Sequence, residues 1–124
     1  MGYSTHYTLQ IDRNCDLKPV DTAQAESLIA ELRIANEEAD YCLDTKGMPG
    51  DAGKWYKHEE DMLAFSELHP DFIFTLSGKG ESGGDLWKKY FLNGKLQRTK
   101  AELRYEVFSR SALEKPKLLK ASLR

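Results

Sequence analysis

Leu86-Trp87-Lys88-Lys89-Tyr90-Phe91-Leu92-Asn93-Gly94-Lys95-Leu96-Gln97-Arg98-Thr99-Lys100 reads as a β-hairpin, and the fold class follows from it. Asn-Gly is the strongest short hairpin signal, because a type I′ turn needs positive φ at both central residues. A two-residue loop also fixes the register of its flanking strands. Counting outward from Asn93-Gly94, Phe91 faces Leu96, Lys89 faces Arg98 and Trp87 faces Lys100, all on one side. With a second strand running over 95–109, Leu86, Tyr90, Leu92, Ala101, Leu103, Tyr105 and Val107 share the other side. That set is almost wholly apolar and is expected to form the core face. Trp87, Lys89, Phe91, Arg98, Lys100 and Arg104 are then expected on the sheet surface away from the helices.

Upstream, Phe72-Ile73-Phe74-Thr75-Leu76 is a second strand, joined to the hairpin through the glycine-rich stretch 78–84. Lys79 in that stretch suggests a phosphate loop, but such a loop needs Gly-Lys-Ser/Thr directly before a helix. Here Glu81 adds negative charge and a strand follows, so a hairpin connection is the better reading. At the other end, Tyr3, Thr5, Tyr7, Leu9 and Ile11 alternate with polar residues, the period of a half-buried strand. Asp21 is a candidate N-cap with Gln24 three residues on, and Ala25, Leu28, Ile29 and Leu32 form one helical stripe, which predicts a helix over 22–37. Residues 39–44 read as a short strand, and 46–53, with three glycines and a proline, as a loop. A second helix is expected to begin near Lys54 and end before Pro70, with Trp55, Met62, Phe65 and either His69 or Leu68 directed inward. The order predicts an α+β two-layer sandwich: an antiparallel sheet of 4–5 strands with two helices on one face, ferredoxin-like in character. One domain is expected over 1–112, followed by a basic tail over 113–124.

The 124 residues are 40% apolar, enough for one modest core. No apolar run approaches the roughly 20 residues that cross a bilayer, and the N-terminus resembles neither a signal peptide nor a myristoylation signal. A cytoplasmic protein without membrane contact is expected. Cys15 and Cys42 are too few and too far apart for a disulfide framework. The net charge of −2 conceals a division: residues 1–85 carry 7 Lys+Arg against 17 Asp+Glu, and the remainder 11 against 3. Such asymmetry orients partners and raises association rates, and it suits a binder more readily than a catalyst.

His58-Glu59-Glu60-Asp61-Met62 begins like a zinc-protease helix, but Met62 stands where the second histidine is required. His58 and His69, eleven residues apart on one helix, lie about 16 Å apart along its axis and cannot share a metal. Neither metal nor cofactor is expected. No serine or cysteine is paired with a base, so the chain is not expected to be an enzyme; His58 with Glu59 is the nearest approach to an acid–base pair. Glu59, Glu60 and Asp61 favour a helix N-terminus and can be simply a solvated face. Together with Glu37, Glu38 and Asp40 they can instead present a negative surface that mimics nucleic acid. Aromatic and basic side chains on an open sheet suit single-stranded nucleic acid. The same residue types are also enriched in protein interfaces, including those between identical copies.

From Trp55 onward the series Trp55-x-x-His58-Glu59, Met62, Ser66, Pro70, Phe72-x-Phe74, Glu81, Gly84-Asp85-x-Trp87, Tyr90-Phe91 and Asn93-Gly94 resembles the ferredoxin-like domain of YubB-type proteins of plasmids and phages. The resemblance runs over about residues 55–94 and implies that fold and a mobile-element origin; it supplies no catalytic residues. The expected function is that of a small phage or mobile-element protein that binds a host protein or nucleoprotein complex. Its concrete form is an inhibitor or modulator of a host nucleic-acid enzyme or defence complex, of anti-CRISPR type. The alternative is a nucleic-acid-binding accessory protein.

Overall fold

A computed structural model describes residues 4–102 and 104–115. The chain is α+β: β1 (Thr5–Arg13), α1 (Thr22–Ala35), α2 (Glu37–Cys42), α3 (His58–Leu68), β2 (Phe72–Gly80), β3 (Leu86–Leu92) and β4 (Lys95–Lys100), then a single 3-10 turn at Arg110–Ala112. All three helices lie in the connection between β1 and β2. The four strands are antiparallel and ordered β1-β2-β3-β4 in one sheet. No helix among the described residues is long and apolar enough to cross a membrane.

The hairpin forms in the expected register, with Phe91 opposite Leu96, Lys89 opposite Arg98 and Trp87 opposite Lys100. Asn93 (φ 47°) and Gly94 (φ 74°) supply the positive φ pair that the turn requires. The assignment of faces, however, is inverted. Phe91 is fully buried, and Trp87 and Leu96 pack against the core, whereas Leu86, Tyr90 and Leu92 lie on the opposite face. The cause is β2: Phe91 pairs with Phe74, Lys89 with Leu76 and Trp87 with Gly78, and the fully buried Phe74 and Leu76 set which side meets the helices. Residues counted for the other side, Ala101, Tyr105 and Val107, lie beyond the end of β4. β4 stops because β3 begins at Leu86: the Ala101 N–H donates to the Leu86 carbonyl (3.0 Å), and past it no partner strand remains. The expected extension to residue 109 is thereby corrected. Leu103 and residues 116–124, most of the expected basic tail, are outside the described residues.

The core joins alternate residues of β1 (Tyr7, Leu9, Ile11) to Leu28, Ile29 and Leu32 of α1, Ala39 and Cys42 of α2, and Met62 and Phe65 of α3. α1 starts where Asp21 accepts the Gln24 N–H (2.8 Å) and ends at Ala35, two residues before its expected end. The short strand expected over 39–44 is mostly helix. Glu37, Glu38 and Asp40 oppose the positive helix N-terminus of α2, and Ala39 and Cys42, three apart, bury one side of a helical turn. α3 starts at His58 rather than near Lys54; Trp55 precedes it but is fully buried. Between the two candidates at its end, His69 turns inward onto Phe65 (4.7 Å between rings) and Leu68 is exposed.

The candidate interaction surface

Three of the residues expected on an open sheet, Trp87, Lys89 and Arg98, instead build a polar and aromatic cluster beneath α3. Trp87 lies flat on Gly78, its cross-strand partner: a methyl group on Gly78 would come within 2.1 Å of the indole. The other side of the indole stacks on His58 (5.1 Å, 19° between planes), and Tyr7 meets it edge-on at 6.0 Å. The His58 Nδ1–H donates to the Trp55 carbonyl (2.8 Å), which leaves Nε2 as acceptor for the Lys89 ammonium (2.6 Å). That ammonium also lies 4.5 Å from the centre of the Trp87 ring and 2.9 Å from Glu59. Arg98 completes the cluster with a two-pronged pair to Glu59 (2.7 and 2.8 Å).

The electrostatics follow from this geometry. Burial, and secondarily the Lys89 charge, push the His58 imidazole below its ordinary range. The Arg98 hydrogen bonds, with help from Lys89, hold the Glu59 carboxyl down at about 2. Both ring nitrogens of His58 are engaged within the fold. The nearest approach to an acid–base pair in the sequence is therefore a packing and charge-pairing element that fastens α3 to β3 and β4.

The two surfaces separated in the sequence reading thus partly neutralise one another. Of the acidic set, Glu59 pairs with Lys89 and Arg98, Asp61 accepts from the Trp55 indole (2.8 Å), and Asp40 pairs with Arg33 (3.0 Å). Glu37, Glu38 and Glu60 are exposed on the helical side. Of the basic and aromatic set, Lys100 is exposed at the rim, and Arg104 is exposed in the segment after β4.

The side of the sheet away from the core is built from residues that the sequence reading assigned no binding role. The register sets Gln10, Thr75, Tyr90 and Gln97 in one cross-strand row and Thr8, Ser77, Lys88 and Thr99 in the next. His6, Lys79 and Leu86 make a third row, to which Ala101 is hydrogen-bonded through Leu86. One groove of about 430 Å³ runs along His6, Thr8, Ser77, Lys79, Leu86, Lys88 and Thr99. A second, of about 520 Å³, lies at the far end among Ile73, Tyr90, Leu92, Lys95 and Gln97. The surface therefore has apolar side chains toward its two ends, Leu86 at one and Ile73, Tyr90 and Leu92 at the other, a polar row of Thr8, Ser77, Lys88 and Thr99 between them, and Lys79, Lys88 and Lys95 as its cations. A signal for it was present: the alternation that places Thr5, Tyr7, Leu9 and Ile11 inward puts His6, Thr8 and Gln10 outward on the same sheet.

Comparison with models of known protein families, with curated proteins and with solved structures returned no match for this chain.

Proposed function

We propose that this chain is a small protein-binding module that engages its partner through the uncovered face of the sheet. One observation carries the reading: no helix or strand among the described residues covers that face, and it combines apolar side chains with lysines over two grooves. A mixture of apolar and polar side chains of this kind is compatible with a protein interface. The inverted faces favour protein over nucleic acid. With Trp87 and Phe91 turned inward, Tyr90 and the His6 imidazole, two cross-strand rows apart, are the aromatic rings from the paired strands on this side, whereas Leu86, Leu92 and Ile73 are aliphatic. Stacking on successive bases needs a series of rings, and aliphatic side chains do not supply it. The three lysines favour a partner that sets acidic groups beside apolar ones.

The narrower form of the proposal rests on the sequence resemblance: a non-enzymatic cytoplasmic protein of a mobile element that inhibits or modulates a host nucleic-acid enzyme or defence complex. The ferredoxin-like layering, helices against one side of a four-stranded sheet, belongs to the same proposal. It is supported by the antiparallel sheet and by the core residues that helices and strands share.

The test is affinity capture from host lysate, with and without nuclease, comparing wild type with Tyr90→Ala/Lys88→Glu. Both substitutions lie off the core side, and circular dichroism of the double variant verifies folding. One stoichiometric protein retained after nuclease and lost with the double variant is the expected result. Recovery that nuclease abolishes would transfer the reading to nucleic acid, and a partner indifferent to the double variant would move the site off this face.

A further inference from the structure

The segment that follows β4 carries a strand pattern without a strand's surroundings. Tyr105 and Val107 alternate with Arg104 and Glu106, the period of a chain with one side buried, yet Tyr105 is 92% and Val107 90% exposed. Phe108 (69%) and Leu113 (67%) are exposed beside them. Four large apolar side chains in water over nine residues mark a contact surface rather than ordinary scatter. The same molecule has an uncovered sheet face with apolar grooves, and the segment leaves the sheet at Ala101, on the rim of one of them.

We propose that residues 104–115 of one copy lie across the uncovered sheet face of a second copy, and that the exchange is reciprocal. This names the occupant of the face in the isolated protein, and it rests on the reading of that face as a binding surface. A second copy is favoured over the chain's own segment because, in the folded monomer, Tyr105 and Val107 leave their own sheet untouched. Charge does not oppose it: over 102–115, Glu102, Glu106 and Glu114 are balanced by Arg104, Arg110 and Lys115, so the stretch brings no net charge to the lysines of the face. Area supports it. Tyr and Phe bury about 150–250 Å² each, so two exchanged segments and the grooves they fill reach the range of about 1,200–2,000 Å² typical of stable interfaces. Reciprocal exchange closes on itself as a two-fold dimer and leaves no open end for polymerisation. The edges of the sheet are less suited to association. On the outer edge of β1, Thr5 pairs with Gly53, Leu9 donates to Gly47 and Arg13 donates to Lys18, while β4 carries the cations Lys95, Arg98 and Lys100.

Sedimentation equilibrium on the full chain, with Val107→Asp on the segment and Leu86→Asp on the face, tests this. Neither residue is in the core, and circular dichroism of each variant verifies folding. Wild type is expected to be dimeric at about 100 µM and to dissociate on dilution. Each variant alone should be a monomer at the concentration where wild type is a dimer, with its dissociation constant raised at least tenfold. An equimolar mixture of the two should recover a heterodimer, because one intact segment then meets one intact face. A monomeric wild type, a dimer that survives Val107→Asp, or variants that fail to complement each other would each overturn the proposal. None of these outcomes depends on capture of another protein, so the reading of the face as a partner site stands or falls separately.

Discussion

Gly78 is fixed by the residue across from it. The Trp87 indole occupies the volume in which any β-carbon at position 78 would lie, so Gly78→Ala must displace the ring and with it the stack on His58. A fully paired sheet has little room to yield, and overpacking of this kind costs about 1–3 kcal/mol. Urea denaturation followed by tryptophan fluorescence should show that loss together with a changed native spectrum. In a Trp87→Ala background the same Gly78→Ala should be nearly neutral, because the clash is then gone; an undiminished cost would mean that glycine is needed for another reason. Gly94 is fixed differently. Its φ of 74° belongs to the turn, and its N–H donates to Ser66 Oγ (3.0 Å), which in turn donates to the Leu63 carbonyl (2.8 Å). Ser66 is fully buried, so Ser66→Ala leaves the Gly94 N–H without its acceptor. A loss of about 1–3 kcal/mol is expected, read from the urea midpoint at unchanged slope.

Among elements, the attachment of α3 to β3 and β4 makes stability depend on pH in a definite direction. His58 is held below its ordinary value of 6.5 in the fold, so the unfolded chain binds that proton more readily. Its contribution is complete above 6.5 and declines as pH falls below it, toward the lowered folded value. Glu59, held at about 2 against an ordinary 4.5, adds stability that is complete above 4.5 and is lost as pH falls through 2. Denaturation midpoints measured from pH 8 to pH 2 should therefore fall in two stages, with His58→Gln flattening the first and Glu59→Gln the second. A single stage unaffected by either substitution would place the acid sensitivity elsewhere. These elements also show what the sequence made legible. The hairpin register was readable because Asn93-Gly94 determines it locally, and α1 because Asp21 and the Leu28, Ile29, Leu32 stripe agree. Which side of β3 meets the core was not readable from β3, since Trp87 and Phe91 on one side balance Leu86, Tyr90 and Leu92 on the other. Pairing with Phe74 and Leu76, a contact distant in sequence, settles it. Residues 39–44 misled for the opposite reason: six residues hold too little pattern to separate a strand from a turn and a half of helix, and the Asn36 boundary with its acidic first turn decides for helix.

Across the whole molecule, the charge division of the sequence becomes a division between surfaces. The acidic first part contributes the three α-helices of the described residues, with Glu37, Glu38 and Glu60 exposed, while the cations of the uncovered sheet face come from Lys79 and the hairpin residues Lys88 and Lys95. Lys89 and Arg98 add only one net positive charge to this contrast, because they share the single Glu59 carboxylate. A molecule so divided meets an acidic partner in one orientation, and the consequence is kinetic before it is energetic. At about 0.1 M salt the screening length is near 10 Å, comparable to the distance over which such steering acts. The association rate constant of the captured partner should therefore fall roughly tenfold or more between low and high salt, with a dissociation rate that changes much less. Lys79→Glu/Lys88→Glu should show the same low rate already in dilute buffer, with its salt dependence abolished or reversed. Stopped-flow or surface-binding kinetics at several ionic strengths separates the cases. A rate indifferent to salt in the wild type would assign recognition to the apolar side chains of the face, Leu86, Tyr90 and Leu92, and leave the lysines a role in solubility alone.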